Sequence, residues 1–128
     1  MKLTIIRLET FSEQDKIDLA KIWPEYSEAS LSVDDNNRVY AARFNERLLG
    51  ATRVTLSGTQ GTMDSFRVRD VTRRRGVGKY MLEEVLNALP EVSDWWVTDV
   101  GVENYETMNA FMQAQGFAER EGGWHIPE

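Results

Sequence analysis

The chain has 128 residues, a length that predicts a single domain over residues 1–128 with one hydrophobic core. Its formal net charge of −6 disfavours a general nucleic-acid binder, and the absence of cysteine excludes disulfides, a thiol nucleophile and a thiolate metal site. No apolar run approaches the roughly 20 residues that span a bilayer, and the run after Met1 is too short for a signal peptide. We therefore expect a cytoplasmic protein whose partners include neither nucleic acid nor membrane.

The N-terminal third predicts a strand followed by a helix. Polar and apolar residues largely alternate over residues 2–8, as they do in a strand. Ser12 suits the N-cap of a helix that ends at Pro24. The spacing predicts that this helix buries one stripe of side chains, made by Ile17, Ala20 and Trp23. Residues 25–37 are polar, and we expect at most one helical turn in them, near residues 27–31.

The middle of the chain predicts three strands in succession. Residues 38–44 and 47–56 are joined by a short turn at Asn45-Glu46, although Asn-Gly would indicate a hairpin more strongly. Residues 57–61 are a second turn region, and residues 62–68 follow as strand four.

The remaining chain predicts two helices and further strands. Residues 76–89 have a helical apolar stripe, and residues 94–100 form strand five. Asn104 suits the N-cap of a last helix and Gly116 suits its C-terminal end, with one or two short strands in residues 117–126. One face of that helix is made by Met108, Phe111, Met112 and Gln115. This order predicts an α/β fold with a mixed, mostly antiparallel sheet flanked by helices, in which strands four and five diverge.

The stretch Arg73-Arg74-Arg75-Gly76-Val77-Gly78 lies between strand four and the next helix. Its glycines let the backbone turn sharply and approach a ligand closely. The first amides of a helix lack internal partners and lie at the positive end of the helix dipole, so the position suits a phosphate or pyrophosphate. A dinucleotide fingerprint would need glycine where Met81 stands, and a P-loop would need Ser or Thr where Tyr80 stands. The alternative is a tight turn beside a solvated basic cluster.

Positive charge is concentrated around this stretch, although the whole protein is acidic. Six basic residues fall within 13 positions, namely Arg67, Arg69, Arg73, Arg74, Arg75 and Lys79. A small island of this kind fits a small polyanion better than a long one.

The spacing Arg-x-x-Gly-x-Gly resembles the pyrophosphate loop of the GCN5-related N-acetyltransferase (GNAT) superfamily, and the predicted order of elements resembles the GNAT fold over nearly the whole chain. The resemblance implies that acetyl-CoA or CoA binds, with its pantetheine arm along the end of strand four as an added strand. The ligand contacts would then come from Phe66, Arg67, Val68, Thr72, Arg73, Arg74, Arg75, Gly76, Val77, Gly78, Lys79 and Asn104.

The set of residues that would catalyse acetyl transfer is incomplete in this sequence. In GNAT enzymes a tyrosine of the last helix protonates the departing thiolate, and Met112 stands at that place, where a thioether has no proton to give. Asp64 is the only carboxylate within strand four, and we expect it to face solvent or cap a turn. His125, three residues from the end, is expected to be a mobile surface group. Two tyrosines, Tyr80 and Tyr105, remain as candidates for the acid.

The whole chain resembles the PanZ/PanM family of GNAT-like maturation factors. The stretches that carry this resemblance are residues 1–8, 21–27 and 40–49, Arg67-Val68-Arg69 and residues 71–78. It implies binding of acetyl-CoA or CoA, binding of the aspartate 1-decarboxylase zymogen with promotion of its self-cleavage to the pyruvoyl form, and CoA-dependent feedback inhibition of β-alanine and pantothenate synthesis. It also implies partner contacts at the predicted hairpin, through Arg43, Phe44, Asn45 and Arg47.

Three functions therefore remain open. The leading hypothesis is a CoA-sensing regulator, monomeric alone, that transfers no acetyl group at an appreciable rate. The second is an active N-acetyltransferase on a small amine or a protein N-terminus. The third is an interaction module whose arginines bind an acidic surface without any nucleotide, which leaves the placement of Gly76 and Gly78 unexplained.

Overall fold

The computed structural model describes residues 3–24, 33–69, 76–100, 102 and 104–126. Within these residues seven strands form one sheet in the order β1-β2-β3-β4-β5-β7-β6. The strands are β1 Thr4–Arg7, β2 Asn37–Phe44, β3 Arg47–Ser57, β4 Gln60–Val68, β5 Asp94–Thr98, β6 Ala118–Arg120 and β7 Gly123–Ile126. The helices are α1 Glu13–Ile22, α2 Val77–Ala88 and α3 Tyr105–Ala114. The predicted α/β fold with a mixed, mostly antiparallel sheet is confirmed.

The first four strands form an antiparallel meander in which each strand pairs with its neighbour in sequence. Strands β2 and β3 meet at a two-residue turn in which Asn45 and Glu46 have φ angles of +53° and +66°. Two successive left-handed residues define the type I′ turn, whose twist matches that of the flanking strands. The hairpin therefore forms although glycine, which adopts this conformation most easily, is absent from the turn.

Strand β4 joins the two halves of the sheet. It pairs in parallel with β5, and this ladder runs from Gln60–Asp94 to Met63–Val97. A further hydrogen bond at 2.9 Å connects the Ser65 amide to the carbonyl of Val100. The C-terminal half of β4 lies beyond the parallel ladder, so the predicted divergence of strands four and five is present.

The two faces of the sheet carry separate apolar cores. Helices α2 and α3 cover one face through a cluster that includes Met81, Val85, Met112 and Trp124. Helix α1 covers the other face over the meander, through a cluster that includes Leu19. The two clusters place α1 and α2 on opposite faces of the meander, as a layered α/β domain requires.

The predicted buried stripe of α1 is wrong at two of its three positions. Trp23 is buried, but Ile17 is 52% exposed and Ala20 is exposed. The helix buries Asp15, Asp18, Leu19 and Ile22 instead. The two carboxylates can be buried because arginines from the distant β2–β3 hairpin neutralise them, a pairing that the local periodicity does not contain. The turn predicted near residues 27–31 lies outside the described residues.

Candidate functional site

A cleft of about 360 Å³ opens where the C-terminal half of β4 faces the N-termini of α2 and α3. Its floor is strand β4, and its walls are the start of α2 and one side of α3. The described residues that line it are Phe66, Arg67, Val68, Gly76, Gly78, Lys79, Val102, Asn104, Thr107, Met108, Phe111 and Gln115. Most of this lining is apolar, so the cleft combines an apolar channel with the positive end of a helix.

Two glycines shape the helix end for different reasons. Gly76 is the N-cap of α2 and has φ of +74°, a conformation that other residues rarely adopt. Gly78 is the second residue of α2, where a Cβ atom would sit 3.5–3.7 Å from Val68, Phe66 and Phe111. Gly76 therefore provides the turn, whereas a Cβ atom at Gly78 would make only ordinary van der Waals contacts with its neighbours.

The structure brings most of the predicted ligand residues together. Phe66, Arg67, Val68, Gly76, Gly78, Lys79 and Asn104 all line the cleft, while Val77 is buried in the core beneath α2. The predicted contacts at Thr72, Arg73, Arg74 and Arg75 lie outside the described residues.

The side wall of the cleft is helix α3. The Asn104 side chain accepts a hydrogen bond of 3.0 Å from the Thr107 amide and so caps the helix. Phe111 lies against Phe66 with 5.9 Å between the ring centroids, which joins wall and floor. The predicted ligand contacts missed five of the lining residues, namely Val102, Thr107, Met108, Phe111 and Gln115. The cap at Asn104 was the available signal, because it fixes which residues form the first turn.

None of the described residues that line the cleft carries a carboxylate or an imidazole. Met112, at the position of the GNAT tyrosine, is fully buried in the core. Tyr80 and Tyr105 do not line the cleft. Hydrogen bonds to Glu84 and Glu119 respectively raise the pKa of each phenol above its ordinary value, which makes both tyrosines weaker acids.

Neither candidate base is available to the cleft. Asp64 is neither solvent-facing nor a turn cap, because its carboxylate pairs with Arg53 at 3.2 Å and is only 18% exposed. The expectation of a mobile His125 is wrong, because His125 belongs to β7 and pairs there with Trp96 of β5. Its ring contacts the Asp94 carboxylate and packs on the Trp96 indole at 4.5 Å between centroids. The strand pairing that holds it links residues about 30 positions apart, which sequence position alone does not predict.

A second, polar groove of about 810 Å³ lies beside the β2–β3 hairpin. Arg43 donates to Asp15 at 3.0 Å, and Arg47 donates to Asp18 through Nε at 3.0 Å and Nη2 at 2.7 Å. The Leu48 amide also donates to Asp18 at 3.0 Å. The two hairpin arginines, predicted to contact a partner, thus also fasten the hairpin to α1.

The electrostatics of Asp18 explain how a carboxylate with no exposed surface remains charged. Burial opposes its ionisation, but hydrogen bonds from Arg47, the Leu48 amide and Gln14 outweigh burial and lower the pKa of Asp18 below its ordinary value. At the tip of the hairpin Asn45 and Glu46 are exposed, while Phe44 is half-buried.

Comparisons with known proteins match nearly the whole chain to one family. The profile of the family described as an acetyltransferase (GNAT) domain, PanZ, matches residues 2–125. Proteins named PanD regulatory factor, from Escherichia coli K12 and Salmonella typhimurium LT2, are 71% and 68% identical to this chain over 124 residues. Each alignment covers 97% of this chain and 98% of the relative.

Solved structures give the same result. The solution structure of YhhK from E. coli bound to coenzyme A has a TM-score of 0.89 at 70% identity, with 98% of both chains covered. The ribosomal-protein-S18-alanine N-acetyltransferase of E. coli has a TM-score of 0.74 at 19% identity, covering 97% of this chain and 89% of that one. At that identity the likeness concerns the fold alone. None of the helices among the described residues is long and apolar enough to cross a membrane.

Proposed function

This chain belongs to the PanZ family of GNAT domains, and we propose from this membership that it is a CoA-responsive regulatory factor of aspartate 1-decarboxylase. It binds the decarboxylase zymogen, promotes its self-cleavage to the pyruvoyl form, and inhibits the mature enzyme when CoA or acetyl-CoA is abundant. The observation that carries the regulatory role, as opposed to an enzymatic one, is a cleft whose described lining offers no carboxylate, imidazole or phenol for proton transfer.

The cleft suits CoA in both of its parts. The start of α2, with the left-handed Gly76 and with Lys79 nearby, favours the pyrophosphate because backbone amides and the helix dipole attract anions. The apolar wall of Phe66, Val68 and Phe111 favours the pantetheine arm. The loop residues Thr72, Arg73, Arg74 and Arg75 complete the phosphate contacts in this proposal. YhhK, at 70% identity, binds coenzyme A.

A regulator needs to recognise the ligand without consuming it. A GNAT transferase needs a base for the amine and an acid for the thiolate, and such groups typically contribute about 10²–10⁴ each to the rate. Here Met112 is in the core, and Asp64 pairs with Arg53. We therefore propose that bound acetyl-CoA remains intact. An acetyl-transfer assay over a broad panel of amines tests this, and robust turnover of any natural amine would favour the alternative, an active N-acetyltransferase.

The proposed partner surface is the β2–β3 hairpin, through Arg43, Phe44, Asn45 and Arg47. Arginine and aromatic residues are enriched in interface hot spots. The ion pairs with α1 support the proposal by fixing the hairpin before a partner arrives, since a preorganised surface loses less entropy on binding. Asn45 is exposed at the tip, and the described ion pairs with α1 do not involve it.

Cleavage of purified decarboxylase zymogen tests the assignment. We expect the wild type to accelerate cleavage and Asn45→Ala and Arg43→Ala to do so less, with acetyl-CoA strengthening complex formation in each case. By linkage, the decarboxylase should tighten acetyl-CoA binding by the same factor, which calorimetry measures. Equal cleavage by all three proteins would remove the hairpin from the interface. No acceleration by any of them would remove the maturation function itself.

A further inference from the structure

Strand β4 contains a bulge just before it reaches the cleft. Opposite the single residue Thr52 of β3, strand β4 contributes two residues, Ser65 and Phe66. Ser65 has φ of +53°, in the left-handed region that residues other than glycine rarely adopt. An extra residue of this kind changes the alternation of every side chain that follows it along the strand.

The bulge decides which side chains reach the cleft. Met63 lies in the core beneath α2 and α3, so Asp64 faces the other side of the sheet. Regular alternation would send Phe66 to the face of Asp64. Because of the bulge, Phe66 and Val68 instead rejoin the core beneath α2 and α3, and both line the cleft. If the alternation ran regularly through Ser65, Arg67 would take their face.

Two side chains from other elements hold the bulge. The indole of Trp23, at the C-terminal end of α1, donates a hydrogen bond of 2.7 Å to the Ser65 carbonyl. The Thr52 hydroxyl donates at 3.1 Å to the Asp64 carbonyl. Trp23 is only 3% exposed and Thr52 is fully buried, so water does not compete freely for these carbonyls.

We propose that Trp23 is a positioning residue for the ligand cleft. Its indole N–H satisfies the carbonyl that the left-handed Ser65 turns out of the ladder, and it thereby keeps Phe66 and Val68 toward the ligand. The inference rests on the proposed function, because its measured consequence is CoA affinity. Without this donor we expect the bulge to relax. A buried carbonyl that loses its hydrogen-bond partner destabilises the backbone conformation that requires it, here the left-handed conformation of Ser65.

The direct test replaces the indole by a ring that lacks the donor. We expect Trp23→Phe to weaken CoA binding about three- to tenfold, because a hydrogen bond of this kind is worth about that factor. The matched control is Ile22→Val, which trims the adjacent residue of the same core cluster. Its main chain, including the carbonyl that accepts from Arg67 at 3.4 Å, is unchanged. We expect the control to lose stability but to bind CoA within about twofold of the wild type.

Two further variants separate positioning from general stability. Ser65→Gly in the Trp23→Phe background should restore affinity, because glycine adopts the left-handed conformation without help. Thr52→Val removes the second donor and should weaken CoA binding in the same direction, which provides a test should Trp23→Phe not fold. The Ser65 and Phe66 amide signals in nuclear magnetic resonance spectra should move in Trp23→Phe and return in the double variant.

The outcomes are distinct. Weaker CoA binding by Trp23→Phe and Thr52→Val, recovery with Ser65→Gly, and an unaffected control support the proposal. Equal affinity of folded Trp23→Phe and wild type overturns it, as does an equal loss in Ile22→Val or a failure of Ser65→Gly to restore affinity. If the wild type itself does not bind CoA, the proposed function fails first, and calorimetry on the wild type shows this before any variant is made.

Discussion

The apolar cleft and the polar groove differ in how their charged groups are used. In the groove beside the hairpin, Arg43 and Arg47 each pair with a buried aspartate of α1. In the cleft, the described lining contains no acidic residue, and the positive end of α2 faces apolar side chains. The first region uses its cations to hold two elements of the protein together, and the second leaves its positive potential at an open cleft, where a ligand is proposed to bind.

This contrast shows why arginine content alone is a weak guide to binding. The groove has the larger volume and more polar side chains, yet its strongest charges are matched within the chain. Removing one partner of a buried ion pair destabilises the protein, because the remaining charge is then left without compensation. Substitutions in the groove should therefore change stability, whereas substitutions in the cleft should change affinity.

The largest expected effect is the loss of stability in Asp18→Asn. The change removes the charge that Arg47 pairs with and should lower the free energy of unfolding by roughly 2–3 kcal/mol. Urea unfolding measures this loss. Asp35→Asn is the control, because the Asp35 carboxylate is 97% exposed and its ion pair with Arg7, at 3.6 Å, should contribute little to stability. CoA affinity of the folded variant should stay unchanged. An equally stable Asp18→Asn protein would contradict the structural role of the groove.

The same pair predicts a dependence of stability on pH. Because the pKa of Asp18 is lowered in the folded state, its contribution is complete above the unfolded pKa of about 4 and disappears as pH falls through the folded pKa. The difference in unfolding free energy between wild type and Asp18→Asn should thus be constant near neutrality and shrink below about pH 4. A difference that stays constant through the acid range would show that charge is not its origin.

Met112→Tyr tests whether the cleft can be converted into a catalyst. Met112 is fully buried, so the added ring and hydroxyl should crowd the core and cost about 1–3 kcal/mol, while Met112→Leu should cost less than about 1.5 kcal/mol. We expect no acetyl transfer from either variant, because the substituted side chain points into the core. Measurable transfer by Met112→Tyr would mean that the tyrosine reaches the cleft and that the rest of the site is competent.

Gly76→Val should weaken CoA binding at least about tenfold, equivalent to about 1.4 kcal/mol. Valine is strained at φ of +74°, and its side chain would occupy the space where the backbone meets the ligand. Gly58→Val is a matched control, because Gly58 has φ of +60°, also has no atom within 4 Å of a Cβ, and lies in the β3–β4 turn. We expect the two variants to lose similar amounts of stability, and only Gly76→Val to lose CoA affinity. Undiminished binding by a folded Gly76→Val protein would refute this placement of the pyrophosphate.

The smallest effect is expected for Lys79→Gln. Lys79 is 62% exposed and pairs weakly with Glu83 at 3.8 Å, so its attraction for a phosphate is largely screened. We expect CoA binding to weaken about two- to threefold in low salt and by less in high salt. Lys16→Gln on α1 removes the same charge elsewhere and should leave affinity unchanged. A loss independent of salt would indicate a direct structural role for Lys79.

Sequence reasoning succeeded where the signal is local. Ser12 caps α1 together with Asp15, and Asn104 caps α3, because each cap acts within three residues of its own position. The strands of the meander also followed from their own patterns. The Gly76 turn was predicted from its place between a strand and a helix, and the structure assigns it the left-handed conformation that glycine permits.

The errors all involve contacts between distant parts of the chain. Asp18 is buried because Arg47 lies 29 residues later in the sequence, and His125 is held because Asp94 lies 31 residues earlier. The carbonyl of Ser65 in the bulge accepts its hydrogen bond from Trp23, 42 residues away. A helical or strand period describes one element at a time, so it identifies neither a buried carboxylate's partner nor a bulge that another element supports.

The pairing of β4 with β5 also predicts the order in which parts of the protein fold during synthesis. Strands β2, β3 and β4 are joined by two short turns, so they can pair early on the growing polypeptide, as short loops close faster than long ones. The ladder from Gln60 to Asp94 forms only across α2, and the wall of the cleft comes from residues 102–115. A nascent chain that has released the hairpin but not α3 would display the proposed partner surface without a ligand site. In the proposed function, the ligand site is therefore completed only after α3 has been synthesised, later than the partner surface.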